Sequence, residues 1–84
     1  MKIVYAEKFE QALRFWKKKD SRIFQSIVNQ IEKIIREPEI GKPLRHTLRG
    51  RRRIHIGSFV LVYEFHNEGL RFLDFDHHDK IYKR

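Results

Sequence analysis

The stretch RRRIHIGSFVLVYEF, residues 51–65, decides the fold of this chain. Ile54 and Ile56 alternate with Arg53 and His55, which is the two-residue period of a half-buried strand. Gly57-Ser58 reads as a two-residue hairpin turn. Phe59–Phe65 follows as a second strand, apolar on both faces near its start and therefore central in a sheet. Such a strand needs an apolar layer to cover it, and the flanking sequence supplies one.

Upstream, Gly41 and Pro43 punctuate a loop, and before it two helical periods run almost end to end. Phe9, Ala12, Leu13 and Trp16 make one stripe, ending in Lys17-Lys18-Lys19, cations that suit the negative end of a helix dipole. Asp20 or Ser21 can cap a second helix. Ile23, Ile27, Ile31 and Ile34 form its stripe, widened by Phe24, Val28 and Ile35. Pro38 stops it near Glu37. Lys2–Tyr5 is a β-branched and aromatic stretch, a first strand.

Downstream, Asn67-Glu68-Gly69 turns the chain into a third strand of the second half, Leu70–Asp76. Strict alternation puts Leu73 and Phe75 on its core face and Phe72, Asp74 and Asp76 on the other. The expected architecture is α+β in the order β-α-α-β-β-β, one domain over residues 1–84. Its helical hairpin packs on one side of a twisted, mainly antiparallel sheet.

Composition narrows the function. Seven Phe, three Tyr and one Trp suffice for a compact core in a chain of 84 residues. Cysteine is absent, which excludes disulfides and thiolate zinc sites and suits a reducing cytoplasm. The N-terminus becomes charged too soon for a signal peptide, and the run FVLVY is too short to span a bilayer. A cytoplasmic protein without a membrane partner is expected. A net charge of +8 favours a polyanion or an acidic protein as partner. Arg45, Arg49, Arg51, Arg52 and Arg53 crowd together, and arginine offers a planar fork that matches phosphate.

The same alternation collects a charged face. With Ile54 and Ile56 turned to the core, Arg53 and His55 turn away from it. Asp74, Asp76 and His78 are expected on that open face too, with Lys80 and Tyr82 close behind. Metal-free RNA hydrolysis needs such an inventory. One group takes the proton of the ribose 2′-hydroxyl, another protonates the 5′-oxygen, and cations stabilise the phosphorane. A tyrosine can stack on a base or orient the nucleophile. Each residue also has a plainer reading, as a cross-strand ion pair or a last core ring. Asp74, Asp76, His77, His78 and Asp79 offer metal-ligand types, but adjacent histidines on a strand point oppositely and no two-histidine helix motif is present. Neither metal nor cofactor is expected.

These stretches together resemble the RelE/ParE superfamily of bacterial and archaeal toxins, particularly the RelE and YoeB-type mRNA interferases. MKIVYAEKFEQALRFW is similar to the opening strand and first helix. EPEIGKPLRHTLRG is similar to the loop after the second helix. RRRIHIGSFVLVYEF resembles the arginine strand and the GDYRVIY strand, and LRFLDFDHHDKIY the last strand with its closing HR…VY.

The resemblance implies a toxin held inactive by an acidic, RelB-like antitoxin and cutting mRNA in the ribosomal A site without a metal. Operator DNA would be met only through the antitoxin. It places Tyr82 on the family's C-terminal tyrosine and Arg51 or Arg53 on the basic strand, with Gly57 and Tyr63 at structural positions. It also shows departures. Val60 and His78 stand where the family carries arginines, His77 keeps the histidine position, and Ser58 replaces an acid. Either Arg51–Arg53, Lys80 and His78 take over, or the activity is lost. The candidate catalytic set is His78, Tyr82, Arg53 and Arg51, with Arg45, Arg49, Arg52, Lys80 and His55 as RNA-phosphate contacts. Arg14, Lys17, Lys18, Lys19, Lys33 and Arg36 are candidate ribosomal RNA contacts on the helices. Two other readings stand beside it: a ParE-like, non-enzymatic inhibitor of DNA gyrase, and a degenerate module that acts only by binding its antitoxin.

Overall fold

The computed structural model describes residues 1–44 and 50–82, so Arg45 and Arg49 lie outside the described residues. Its elements are β1 (Lys2–Tyr5), α1 (Glu7–Lys19), α2 (Ser21–Arg36), β2 (Lys42–Pro43), β3 (Arg51–Ile56), β4 (Phe59–His66), β5 (Gly69–His77) and α3 (His78–Tyr82). The strands form one sheet in the order β1-β5-β4-β3-β2. Pairing is antiparallel except at β1, which runs parallel to β5. The fold is the expected α+β arrangement, extended by the two-residue β2 and the short α3.

A single residue joins the long helices. The Asp20 N–H donates to Trp16 O and so closes α1. Its carboxylate then accepts from Arg22 N at 3.0 Å and Ile23 N at 3.4 Å, satisfying donors that the first turn of α2 leaves free. The helices cover one face of the sheet. Phe9 of α1 and Ile27, Ile31 and Ile34 of α2 pack with Leu61, Tyr63, Leu70, Phe72 and Phe75.

The turns carry the expected chemistry. Gly57 has φ 61° and Ser58 does not have a positive φ, which is the II′ pattern that matches the twist of a hairpin. Asn67 and Glu68 both take positive φ at the β4–β5 hairpin, the I′ pattern.

The face assignment of β5 is corrected. Val62 pairs with Asp74 and Tyr63 with Phe72, so Leu73 is an extra residue in a β-bulge. Counting by twos fails across it. Phe72 and Phe75 both enter the helix-side core, whereas Leu73 packs with Val60, Val62 and Ile81 on the opposite face. That opposite face is not open either, which is a second correction. The tail leaves β5 as α3 and lays Ile81 on Val60 and Val62, because burying an isoleucine stabilises by roughly 1.5–3 kcal/mol. The His78 N–H donates to Ser58 O at 2.8 Å and fixes the start of α3.

Tyr63 ties the sheet to the loop after α2. Its hydroxyl donates to Pro38 O at 2.7 Å and accepts from Gly41 N–H at 2.9 Å. A Cβ on Gly41 would lie 2.7 Å from that hydroxyl, so the loop needs glycine there. Burial pushes the Tyr63 phenol above its ordinary value, against the smaller lowering effects of the Gly41 N–H and of Arg52. Folding therefore favours the neutral phenol. The stability this contributes is whole below the ordinary tyrosine value of about 10 and is lost as pH rises through the raised one. Tyr63→Phe leaves the Gly41 N–H unpaired and is expected to cost about 1–3 kcal/mol in urea unfolding. It should also remove this residue's share of the alkaline loss, and an unchanged urea midpoint would refute the anchoring role.

Candidate functional site

The site lies where β3 meets α3. The bases of its geometry are the hairpin and the bend into α3, since Arg53 opposes Val62 and His55 opposes Val60 on the face that α3 crosses. Ile81 anchors α3 to those valines, and the helix thereby brings His78 and Tyr82 over β3. The His55 and His78 rings are 5.6 Å apart between centroids. His78 and Tyr82 are 4.6 Å apart, and His55 and Tyr82 are 6.4 Å apart and nearly parallel. The Arg53 guanidinium carbon stands 5.8 Å from the Tyr82 ring centre, within cation–π range. Both imidazoles and the Tyr82 ring remain exposed. Two proton carriers, a fixed cation and a flat stacking surface therefore share one exposed patch.

The arginines divide by strand alternation. Arg53 donates from Nη1 to Pro43 O at 3.2 Å, which holds the guanidinium beside the rings. Arg51 opposes Glu64, with Nε 3.8 Å from a carboxylate oxygen. That ion pair neutralises part of its charge one pair further from α3. Among the described residues, Arg51 Nε and Arg53 Nε are buried without a hydrogen-bond partner. Arg52, expected among the phosphate contacts, faces the helix side instead. It donates to Glu39 O at 3.1 Å and Gly41 O at 2.7 Å and is a clamp on the loop.

The aspartates do not join the cluster in the way alternation suggested. The Asp74 carboxylate meets Lys8 Nζ of α1 at 3.0 Å and accepts from Phe75 N at 2.8 Å. Asp76 accepts from His77 N at 2.7 Å. β1 ends at Tyr5, opposite Phe72, so β5 has a free edge beyond that point. The amides of Phe75 and His77 face this edge, and each is covered by the preceding aspartate, a device that discourages edge-to-edge pairing. The His77 ring stands edge-on to Phe59, and its Nδ1 lies 3.9 Å from the Asp79 carboxylate. Its Nδ1 accepts from Asp79 N at 3.4 Å. Among the described residues no group of three His, Asp or Glu side chains is placed to hold a metal.

Position 60, where the resemblance places a family arginine, is occupied by a fully buried valine beneath Ile81. Lys80 is exposed on α3. Arg14, Lys17, Lys18, Lys19, Lys33 and Arg36 are all exposed on α1 and α2, and of these Lys33 and Arg36 line a groove that His55 also lines. The main elements that sequence reasoning missed are α3 and its Ile81 anchor. A lone isoleucine among DHHDK and YK gives no period from which a five-residue helix can be read.

No helix among the described residues is long and apolar enough to cross a membrane. Comparison with known proteins adds the family. The sequence profile of the ParE toxin of type II toxin–antitoxin systems matches residues 3–82. A chain of Methanocaldococcus jannaschii named "Putative toxin RelE4" is 40% identical over 78 residues, covering 89% of this chain and 83% of that one. Among solved structures, a YoeB/ParE toxin from Agrobacterium tumefaciens superposes with TM-score 0.80 at 22% identity, over 93% of this chain and 99% of that one. The RelBE2 toxin–antitoxin complex of Mycobacterium tuberculosis gives TM-score 0.71 at 28% identity, over 90% and 95% of the two chains. The chain is thus a member of the RelE/ParE superfamily, the toxins of type II toxin–antitoxin systems.

Proposed function

We propose that this toxin is a ribosome-dependent endoribonuclease that cuts mRNA in the A site and so inhibits translation. The observation that carries the reading is the convergence of Arg53, His55, His78 and Tyr82 on one exposed patch. In the proposed reaction one imidazole takes the proton from the ribose 2′-hydroxyl. The 2′-oxygen bonds to phosphorus and the bond from phosphorus to the 5′-oxygen breaks. The other imidazole, protonated, gives its proton to the departing 5′-oxygen. The products are a 2′,3′-cyclic phosphate and a 5′-hydroxyl, and no metal takes part. Arg53 stabilises the charge that grows on the phosphorane, and Tyr82 stacks on a base next to the cut. Imidazole can supply the proton at the 5′-oxygen, which an arginine at position 78 could hardly do. His78 is in this respect a replacement with its own chemistry.

An acidic cognate antitoxin is the proposed protein partner. A charge of +8 on a small domain supports it, as does the fold shared with an antitoxin–toxin complex, RelB-RelE from Methanococcus jannaschii, at TM-score 0.73. A second reading, inhibition of DNA gyrase, is favoured by the ParE description of the matching family and by Val60 in place of an arginine. Mapping of mRNA 5′ ends on programmed ribosomes separates the two. Cuts within A-site codons that leave 5′-hydroxyl ends are expected, with no effect on gyrase supercoiling. Intact mRNA together with lost supercoiling would transfer the assignment to gyrase.

A further inference from the structure

A second polar surface adjoins the ring cluster at His55. It is a groove of about 370 Å³ between α2 and β3, lined by Asn29, Gln30, Lys33, Arg36 and His55 among others. The four α2 residues recur at helical spacing, so they form one face of that helix. β2 pairs only with Arg52 and Arg53, which leaves the outer edge of β3 without a strand partner beyond Arg53 among the described residues. Main-chain groups of alternate residues face that edge. Leu44 N donates to Arg51 O across it, so the His55 N–H and C=O face the same way, into the groove. His55 therefore belongs to both surfaces, its ring beside His78 and Tyr82 and its backbone at the groove. The groove carries the site around the sheet edge to α2.

The lining suits a nucleotide. Lys33 and Arg36 supply phosphate-binding cations, and Asn29 and Gln30 supply carboxamides, which pair with base edges through a donor and an acceptor together. Gln25 Nε2 donates to Asn29 Oδ1 at 3.1 Å, which orients the Asn29 carboxamide and leaves its N–H donors and the second acceptor site of the oxygen for a ligand. Glu32 at the rim can accept from an exocyclic amine. A peptide strand added to the same edge would want apolar pockets for alternate side chains, and here Ile56 is the one large apolar residue in the lining.

We infer that this groove is a base-reading subsite for the RNA nucleotide adjoining the scissile phosphate, with Asn29 and Gln30 as specificity-determining residues. The inference rests on the endoribonuclease reading of the ring cluster. Its test is a comparison of cut-site profiles on ribosome-bound mRNA for the wild type and an Asn29→Ala/Gln30→Ala variant. Alanine is a strong helix former, so the variant keeps α2, and its thermal melt checks this.

The wild type is expected to prefer one base beside the cut, and the variant should lose at least about fivefold of that preference, the low end for one bidentate base contact. An unchanged preference, or none in the wild type, would overturn the subsite and leave the endoribonuclease reading standing. An unchanged preference combined with weaker inhibition by the antitoxin would assign the groove to that protein instead. Absence of any cutting by the wild type would overturn the reading beneath it.

Discussion

His78→Ala is expected to lower single-turnover cleavage of ribosome-bound mRNA by roughly 10²–10⁴-fold, the usual loss when a positioned proton carrier is removed. The side chain is about half exposed, and among the described residues its ionic neighbour is Asp79, 3.6 Å away and more exposed still. Stability should therefore move by less than about 0.5 kcal/mol, so lost activity cannot be blamed on unfolding. His55→Ala, one ring away, should show a loss of similar size, because the reaction needs both a proton acceptor and a proton donor. Tyr82→Phe keeps the stacking surface and should lose far less than either. Cleavage by His78→Ala at the parent rate, measured with the two proteins equally folded, would remove the imidazole pair from the mechanism.

Phe72→Ala is the largest expected loss of stability, about 3–5 kcal/mol, as for other aromatic truncations in packed cores. Phe72 is fully buried. Its ring centre lies 5.2 Å from that of Tyr5, 5.4 Å from Phe9 and 6.2 Å from Tyr63. It thereby joins β1, α1, β4 and β5 at one point. A domain of this size is stabilised by only roughly 5–15 kcal/mol in total, so the variant should be largely unfolded at physiological temperature. Urea unfolding at low temperature is the measurement, with the midpoint falling steeply. A loss under 1 kcal/mol would show that Phe72 lies at the margin of the core.

That residue is also where reading by alternation fails. Period-two counting placed Phe72 on the far face with the aspartates, and the bulge at Leu73 returns it to the core. A bulge is an agreement between two strands over which residue goes unpaired, and β5 alone holds no record of it. Asp74 follows the same logic. Its partner Lys8 sits on a helix 66 positions earlier, close by only because β1 lies parallel to β5.

What the sequence by itself determined is whatever depends on neighbours along the chain. The isoleucine stripe of α2, a cap at Asp20 or Ser21, the stop before Pro38 and the Gly57-Ser58 hairpin were all legible, because residues close along the chain set each of them; the structure chose Asp20 for the cap. The position of β4 within the sheet was legible too, since a strand buried on both faces must be apolar on both. Arg53 and His55 could be placed together because alternate residues of a strand share a face. The tertiary structure alone decided the rest. It seated Ile81 on Val60 and Val62, turned the tail into α3, and brought His78 and Tyr82 over His55. Those contacts join residues roughly twenty or more positions apart in the chain. They form because the far face of the sheet presents buried valines that need cover, a demand that becomes visible only when β3, β4 and β5 are side by side.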